Sequence, residues 1–250
     1  MGEYPGKRIF LPCLAVMSVL LCFFLLFGAF PSPGGDRALA AGETFTWTDT
    51  GGEVSEFAIY ALAWDGAGLY AGTKGHGLWR YDPAANKWSE IPGMEGKDVT
   101  SLAWSGSHLY AILWEDLGAS PKPGSYKGVW CYDPSSRRWN DMSEPGVIAF
   151  SLVWGGSALY AAGAAIWRYD PATSKWASIG GPYSDSHGVH GVNYVLSYGA
   201  SLIYTGGYYP LTTNILGTGL WCYYAYWGIW HQAGGPVGGS IPCSMAWSGS

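Results

Sequence analysis

The sequence predicts an all-β fold made of repeated, four-stranded antiparallel units. Its apolar runs are only four to seven residues long, rich in Trp, Tyr, Leu and Val, and bounded by Gly, Pro, Asp or Ser; this pattern is typical of strands. The aromatic residues recur with periods of 40 to 50 residues. The chain holds 38 Gly and 15 Trp but only 12% charged residues, which suits many tight turns. Together these features predict a β-propeller in which each unit forms one blade.

Four complete units can be aligned on their aromatic residues. We name their strands a, b, c and d. A Trp or Tyr closes strand a, and a Tyr follows six residues later in strand b. Strand c carries a Tyr, and strand d carries a Trp seven residues after it. In a, b, c, d order the positions are Trp64, Tyr70, Tyr81 and Trp88; Trp104, Tyr110, Tyr132 and Trp139; Trp154, Tyr160, Tyr169 and Trp176; and Tyr198, Tyr204, Tyr223 and Trp230.

Two partial units flank the four blades. Residues 44–47 read as a d strand, and Trp247 closes a further a strand. Residues 248–250 copy the turn that follows Trp104. We therefore expect an N-terminal d strand and a truncated fifth blade, within a longer product of six or seven blades whose ring is closed by the N-terminal strand. Alternatively, the two flanking strands pair directly as a stunted fifth blade.

Residues 1–41 form a predicted targeting segment. Two basic residues precede an apolar run at 9–30, and an Ala-Leu-Ala sequence at 38–40 precedes another Ala. This is the layout of a secretory signal peptide and its cleavage site. The run is also long enough to span a membrane, so an uncleaved N-terminal anchor is the alternative. Either way the propeller at 42–250 is expected to be secreted or cell-surface, with membrane contact only through an uncleaved segment.

Charge and cysteine content narrow the classes of partner. The net charge is −5 and no basic run occurs, which argues against binding to nucleic acid or to an anionic membrane surface. Cys131 and Cys222 follow the strand-c Trp in blades that are not neighbours, and a propeller holds such positions too far apart for a disulfide. We expect no cofactor and no bound metal.

The connections between strands differ at the two ends of each blade. The a–b and c–d turns are short and repetitive, with Asp-Gly or Asp-Pro sequences that favour tight hairpins. The b–c and d–a links vary in length and chemistry. In an up-and-down blade all of these variable links lie at one end, which we call the loop face. This variation indicates either a functional face or unselected drift of surface loops.

Thirteen of the fifteen Trp residues occupy repeat positions, so we expect them to pack between blades. Trp114 and Trp227 fall outside the repeat. Trp114 opens the longest b–c link, where its ring either contacts a ligand or anchors the loop. Aromatic, carboxylate and hydroxyl side chains in the loop-face links suit contact with a sugar or peptide. The candidate ligand-binding residues are Trp114, Glu115, Tyr126, Tyr183, His187, Tyr208 and Tyr209.

The c–d segments of the first three blades carry a resemblance to a known family. Tyr81-Asp82-Pro83 with Trp88, Tyr132 with Trp139, and Tyr169 with Trp176 resemble the kelch repeats of galactose-oxidase-type propellers. The glycine doublet of that family occurs only in the fourth blade, at 206–207. Residues 69–80 are also similar to repeats of sensor-kinase and sialidase-like propellers. The resemblance implies a propeller, and propellers host enzymes and passive binders alike.

Three functions remain open from sequence. The first is an exported, non-catalytic propeller that binds a glycan or an extracellular protein at the loop face. The second is an enzyme of galactose-oxidase or glycosidase type whose site lies partly in further blades. A sialidase-like site needs several converging Arg, yet every Arg of 42–250 lies in a c strand or a c–d turn. The third is the ectodomain of a surface sensor or adhesin.

Overall fold

The computed structural model describes residues 49–115, 124–181, 192–199, 202–210, 215–224 and 227–232. They belong to one compact unit, Trp47–Ser250. In this part of the chain, no helix has the length and apolar character needed to cross a membrane. The predicted targeting segment, the predicted d strand at 44–47 and the predicted truncated fifth blade all lie outside the described residues.

The described residues form four sheets of four strands, preceded by a short 3₁₀ turn at Glu53–Glu56. Blade 1 contains β1 (Ile59–Trp64), β2 (Leu69–Thr73), β3 (Leu78–Asp82) and β4 (Lys87–Ile91). Blade 2 contains β5 (Asp98–Trp104), β6 (Leu109–Trp114), β7 (Tyr126–Asp133) and β8 (Arg138–Asp141). Blade 3 contains β9 (Ala149–Trp154), β10 (Leu159–Gly163), β11 (Ile166–Asp170) and β12 (Lys175–Ser178). Blade 4 contains β13 (Val192–Gly199), β14 (Leu202–Pro210), β15 (Ile215–Tyr224) and β16 (Ile229–Gln232).

Every blade is an antiparallel meander whose strands pair in sequence order. The predicted fold class, an all-β propeller of four-stranded blades, is confirmed. The seven-residue spacing between strands c and d places a Tyr directly opposite a Trp, as in Tyr132 and Trp139. Their ring centroids lie 4.8 Å apart, and the corresponding pairs in the other three blades lie 5.0–5.2 Å apart. Such cross-strand aromatic pairs stabilise the outer half of each sheet.

Neighbouring blades contact one another through their first strands. Strand β5 contacts both β1 and β9, and β9 contacts β13. The Trp that closes β5 or β9 stacks on the strand-b Tyr of the preceding blade: Trp104 on Tyr70 at 6.1 Å, and Trp154 on Tyr110 at 5.7 Å. The periodic aromatics therefore pack between sheets, as their spacing predicts.

The strand-d Trp residues join the outer edges of neighbouring blades. Trp139 donates its indole N–H to the carbonyl of Pro92 at 2.9 Å, and Trp176 donates to the carbonyl of Met142 at 2.9 Å. Each acceptor lies just after the last strand of the preceding blade. Each of these Trp side chains therefore packs within its own sheet and hydrogen-bonds to the preceding blade.

Among the described repeat-position Trp residues, Trp64 differs from the others in its packing. Trp64, which closes β1, is 53% exposed, so the expectation that its ring packs between blades is wrong. Among the described residues no sheet lies in front of β1, which contacts only β2 and blade 2. The inner strand of blade 1 thus presents one side to solvent.

The short turns form one end of each blade, which we call the turn face. Their Asp side chains accept backbone N–H groups two residues ahead: Asp82 from Ala84 at 2.9 Å, and Asp133 from Ser135 at 2.8 Å. Three of these turns also place a non-glycine residue in the left-handed region, at Asn86, Arg137 and Ser174. These are the tight c–d hairpins that the Asp-Pro sequences predict.

Candidate binding surfaces

The structure places Trp114 in the core rather than on the surface. It is the last residue of β6 and only 6% exposed. Its ring stacks on Phe150 of blade 3 at 5.8 Å and meets the Tyr126 ring edge-on at 5.1 Å. Of the two roles that the sequence leaves open, this burial favours anchoring of the loop over contact with a ligand, because the ring faces are already covered.

Tyr126 also contributes to packing. It begins β7 and pairs with Trp114, its side chain is half-buried, and its hydroxyl oxygen is inaccessible to solvent. Burial raises the pKa of Tyr126 to about 12, so the phenol stays protonated at physiological pH. The two candidate aromatics at this b–c link therefore form one packed pair.

Glu115 is the candidate residue that the structure leaves accessible. Its carboxylate contacts two ammonium groups, with Lys127 Nζ at 2.8 Å from Oε2 and Lys97 Nζ on Oε1. Hydrogen bonds from Lys127 and Lys97 lower the pKa of Glu115 to about 2, so the carboxylate is ionised at any physiological pH. We call Lys97, Glu115 and Lys127 the loop-face triad.

The triad borders a depression of about 400 Å³ between blades 1 and 2. Lys97 comes from the d–a link of blade 1, Glu115 from the b–c link of blade 2, and Lys127 from the beginning of β7. Sequence reasoning missed Lys97 because only the packing of two blades brings these links together. The positions of the charged residues along the chain do not indicate the contact between Lys97 and Glu115.

The remaining candidate residues cannot be compared with the triad. Tyr183 and His187 lie outside the described residues. Tyr208 and Tyr209 lie on β14, where they pair with Gly217 and Leu216 of β15. Only the backbone of these two tyrosines is described, so their prediction as ligand contacts stays a prediction.

Two grooves run between adjacent blades, each lined by residues of the short turns and by residues at the end of strand d. The groove between blades 1 and 2 has a volume of about 590 Å³. Arg80 crosses its floor: one guanidinium nitrogen lies 2.9 Å from the Asp65 carboxylate, and Cζ lies 5.5 Å from the centre of the Tyr70 ring. Burial alone would raise the pKa of Asp65, but backbone N–H groups of the turn and Arg80 lower it below its usual value. The ion pair therefore occupies the floor of this groove.

The groove between blades 2 and 3 is larger, at about 730 Å³. Ser105 and Cys131 stand at the repeat positions of Asp65 and Arg80, so the ion pair is missing. Cys131 is 8% exposed, and burial raises its thiol pKa to about 11; the thiol is therefore protonated and unreactive at neutral pH. Tyr110 beneath it is also buried, which raises its pKa to about 12. This groove is polar and open.

The metal-binding side chains of the described residues do not form a common site. Nowhere in them do three His, Cys, Asp or Glu side chains converge as a metal site. His187, the candidate nearest to such chemistry in the sequence, is outside the described ranges.

Comparison with known proteins identifies the fold and no closer relationship. No protein-family model matches the chain, and no curated protein matches it. Solved structures do match. One is the extracellular domain of the proposed hybrid two-component system BT4673 from B. thetaiotaomicron, with 19% identity over 70% of this chain and a TM-score of 0.53. Another is U3-55K, with 11% identity over 70% of this chain and a TM-score of 0.53.

A third match is the hydrazine synthase of Kuenenia stuttgartiensis, with 13% identity over 69% of this chain and a TM-score of 0.52. The chain spans 22% of the sensor domain's length, 51% of U3-55K and 48% of the synthase. At these identities the likeness shows a propeller-type fold alone. The kelch resemblance seen in the sequence is not confirmed by these comparisons.

Proposed function

We propose that this protein is an exported, non-catalytic propeller that binds a charged extracellular ligand, a protein surface or a charged glycan, through its loop face. The loop-face triad is the observation that carries the proposal. It brings two cations and one carboxylate from two neighbouring blades to the rim of a depression. Charge arrangements of this kind select partners by complementarity and speed their association.

Because the triad is exposed, the effect of a substitution on binding can be measured apart from its effect on folding stability. The side chains of Lys97, Lys127 and Glu115 are 33%, 37% and 47% exposed. Ion pairs this accessible contribute little to folding stability, because solvent screens them. Neutralising them should therefore leave the fold intact, and a loss of binding can be read as a loss of contacts.

The experiment measures retention of the purified protein on arrays of extracellular proteins and glycans. The variant K97Q/E115Q/K127Q is expected to lose retention of its ligand, and the retention by the unaltered protein should fall as salt rises. Lys87→Gln is the matched control, because Lys87 is exposed at the other end of blade 1. Retention that is unchanged in the triple variant would refute the loop-face proposal.

Export is a separate part of the proposal. It is supported by the signal-like layout of residues 1–41, and the similar sensor domain is described as extracellular. Fractionation of cells that express the chain should place it outside the cytoplasm, with a mature N-terminus near residue 41 if the segment is cleaved. The same likeness favours, as a second candidate, the ectodomain of a surface sensor.

A further inference from the structure

We propose that the groove between blades 2 and 3 is a binding site for a neutral saccharide, separate from the loop-face triad. Its volume of about 730 Å³ falls in the range of about 300–1,000 Å³ found for small-molecule pockets. The groove between blades 1 and 2 is its counterpart in the repeat, so each side chain of one groove can be compared with its equivalent in the other.

The floors of the two grooves differ in charge and size. In blade 1 the Arg80 guanidinium lies over the Tyr70 ring and is held by Asp65. In blade 2 the equivalent Ser105 and Cys131 are short and uncharged. The scaffold therefore accommodates a partly buried ion pair at these positions, and its replacement in blade 2 leaves space above Tyr110 that a ligand can fill.

The walls of the groove between blades 2 and 3 carry hydrogen-bonding groups without a Lys or Arg. Hydroxyl, imidazole, amide and carboxylate groups line it, contributed by Ser107, His108, Asn140, Asp141, Ser143 and Glu144. These groups donate to and accept from hydroxyl groups. Two carboxylates with no Lys or Arg beside them disfavour an anion, whereas the other groove is lined by both Arg80 and Arg137.

Aromatic side chains supply the apolar part of the site. Trp154 and Trp176 are half-buried and line the groove. Trp154 is fixed by stacking on Tyr110, and Trp176 by the hydrogen bond from its indole N–H to Met142. A pyranose ring has apolar C–H faces and a hydroxyl-bearing edge. Fixed aromatic walls beside a polar rim match both parts of such a ligand.

The first test is a glycan array that carries neutral, sialylated and sulfated glycans, probed with the full chain. Neutral glycans are expected to be retained, and the anionic ones are not retained through this groove. Absence of retention for every neutral glycan would overturn the proposal.

The second test transplants the blade 1 ion pair into the open groove with S105D/C131R. This variant should abolish retention of neutral glycans while the circular dichroism spectrum is preserved. Because a buried ion pair can impair folding, Asn140→Ala provides a second variant at an exposed position. Loss of one hydrogen bond to the sugar should weaken affinity about tenfold.

Ser89→Ala is the matched control for Asn140→Ala, since Ser89 holds the same repeat position in the groove between blades 1 and 2. It should bind neutral glycans as the unaltered chain does. Retention that survives both groove substitutions would overturn the proposal. Retention lost only in K97Q/E115Q/K127Q would assign the saccharide to the loop face, which also overturns it while supporting the loop-face function.

Discussion

The inner strand of blade 1 and the inner strands of blades 2 to 4 carry the same side chain in different surroundings. Leu62, Leu102, Leu152 and Leu196 stand at one repeat position. Leu62 is 58% exposed, whereas the other three are 8%, 5% and 6% exposed. Each of the buried leucines lies on a strand that contacts the inner strand of a preceding blade. Burial here depends on the neighbouring sheet and not on the residue.

The same comparison extends to the aromatic and polar positions. Trp64 is 53% exposed, while Trp104 and Trp154 stack on the Tyr of the blade before them. Trp88 donates its indole N–H to the hydroxyl of Thr50, where the later blades use a backbone carbonyl. One edge of the blade array is therefore uncovered among the described residues, and four sets of substitutions can test how much each interface contact contributes.

The largest expected effect comes from the leucine position. Leu152→Ala should lower the free energy of unfolding by about 2–5 kcal/mol, because it removes buried methyl groups and leaves a cavity. Leu62→Ala should change it by less than about 0.5 kcal/mol, as for other surface substitutions. Urea unfolding of both variants measures the difference. An equally large loss for Leu62→Ala would show that its side chain is covered in solution.

A smaller effect is expected from the serine that links inner strands. Leu152 donates its backbone N–H to Ser101 Oγ at 2.9 Å in a buried position. Ser101→Ala should cost about 1–3 kcal/mol, because the N–H group is left without its acceptor. Ser151→Ala is the control. Its hydroxyl accepts from Leu196 N at 3.2 Å in a less buried position, so it should cost less; a larger cost would contradict the reasoning.

The indole hydrogen bonds should contribute less again. Trp139→Phe removes the donor to the Pro92 carbonyl and should cost about 1 kcal/mol for that bond. Hydrogen exchange should also quicken in the link at 92–97, which the bond holds against blade 2. Trp88→Phe is the matched variant in blade 1 and should leave that link unchanged. Equal exchange at 92–97 in both variants would mean that the indole bond does not order the link.

The smallest effect is a predicted gain. Ala61 occupies in β1 the repeat position of Ser101 and Ser151. Ala61→Ser should stabilise the protein by about 0.5–1 kcal/mol, by supplying blade 2 with the acceptor that the following blades already have. Thermal unfolding measures the gain. A lower melting temperature would show that the inner strands of blades 1 and 2 are spaced differently from those of blades 2 and 3 and of blades 3 and 4.

The sequence by itself determined the strands, their pairing and the turn chemistry, because these depend on local periodicity. Tyr132 lies opposite Trp139 and Asp133 caps its turn, as a spacing of seven residues and an Asp-Pro pair require. The accessible charged site was predicted in part: Glu115 is exposed, but Trp114 is buried against Phe150 from another blade. Trp114 lies outside the repeat, which marks it as unusual, but the sequence does not indicate which way its ring points.

Only the tertiary structure decided which of the repeated side chains are covered and which links meet. Lys97 reaches Glu115 from a different blade, and residues of two blades, among them Cys131 and Trp176, line the groove between blades 2 and 3. Strand periodicity follows from interactions between residues close in sequence. Burial, charge pairing and cavity shape follow from the neighbouring sheet, which no local pattern records.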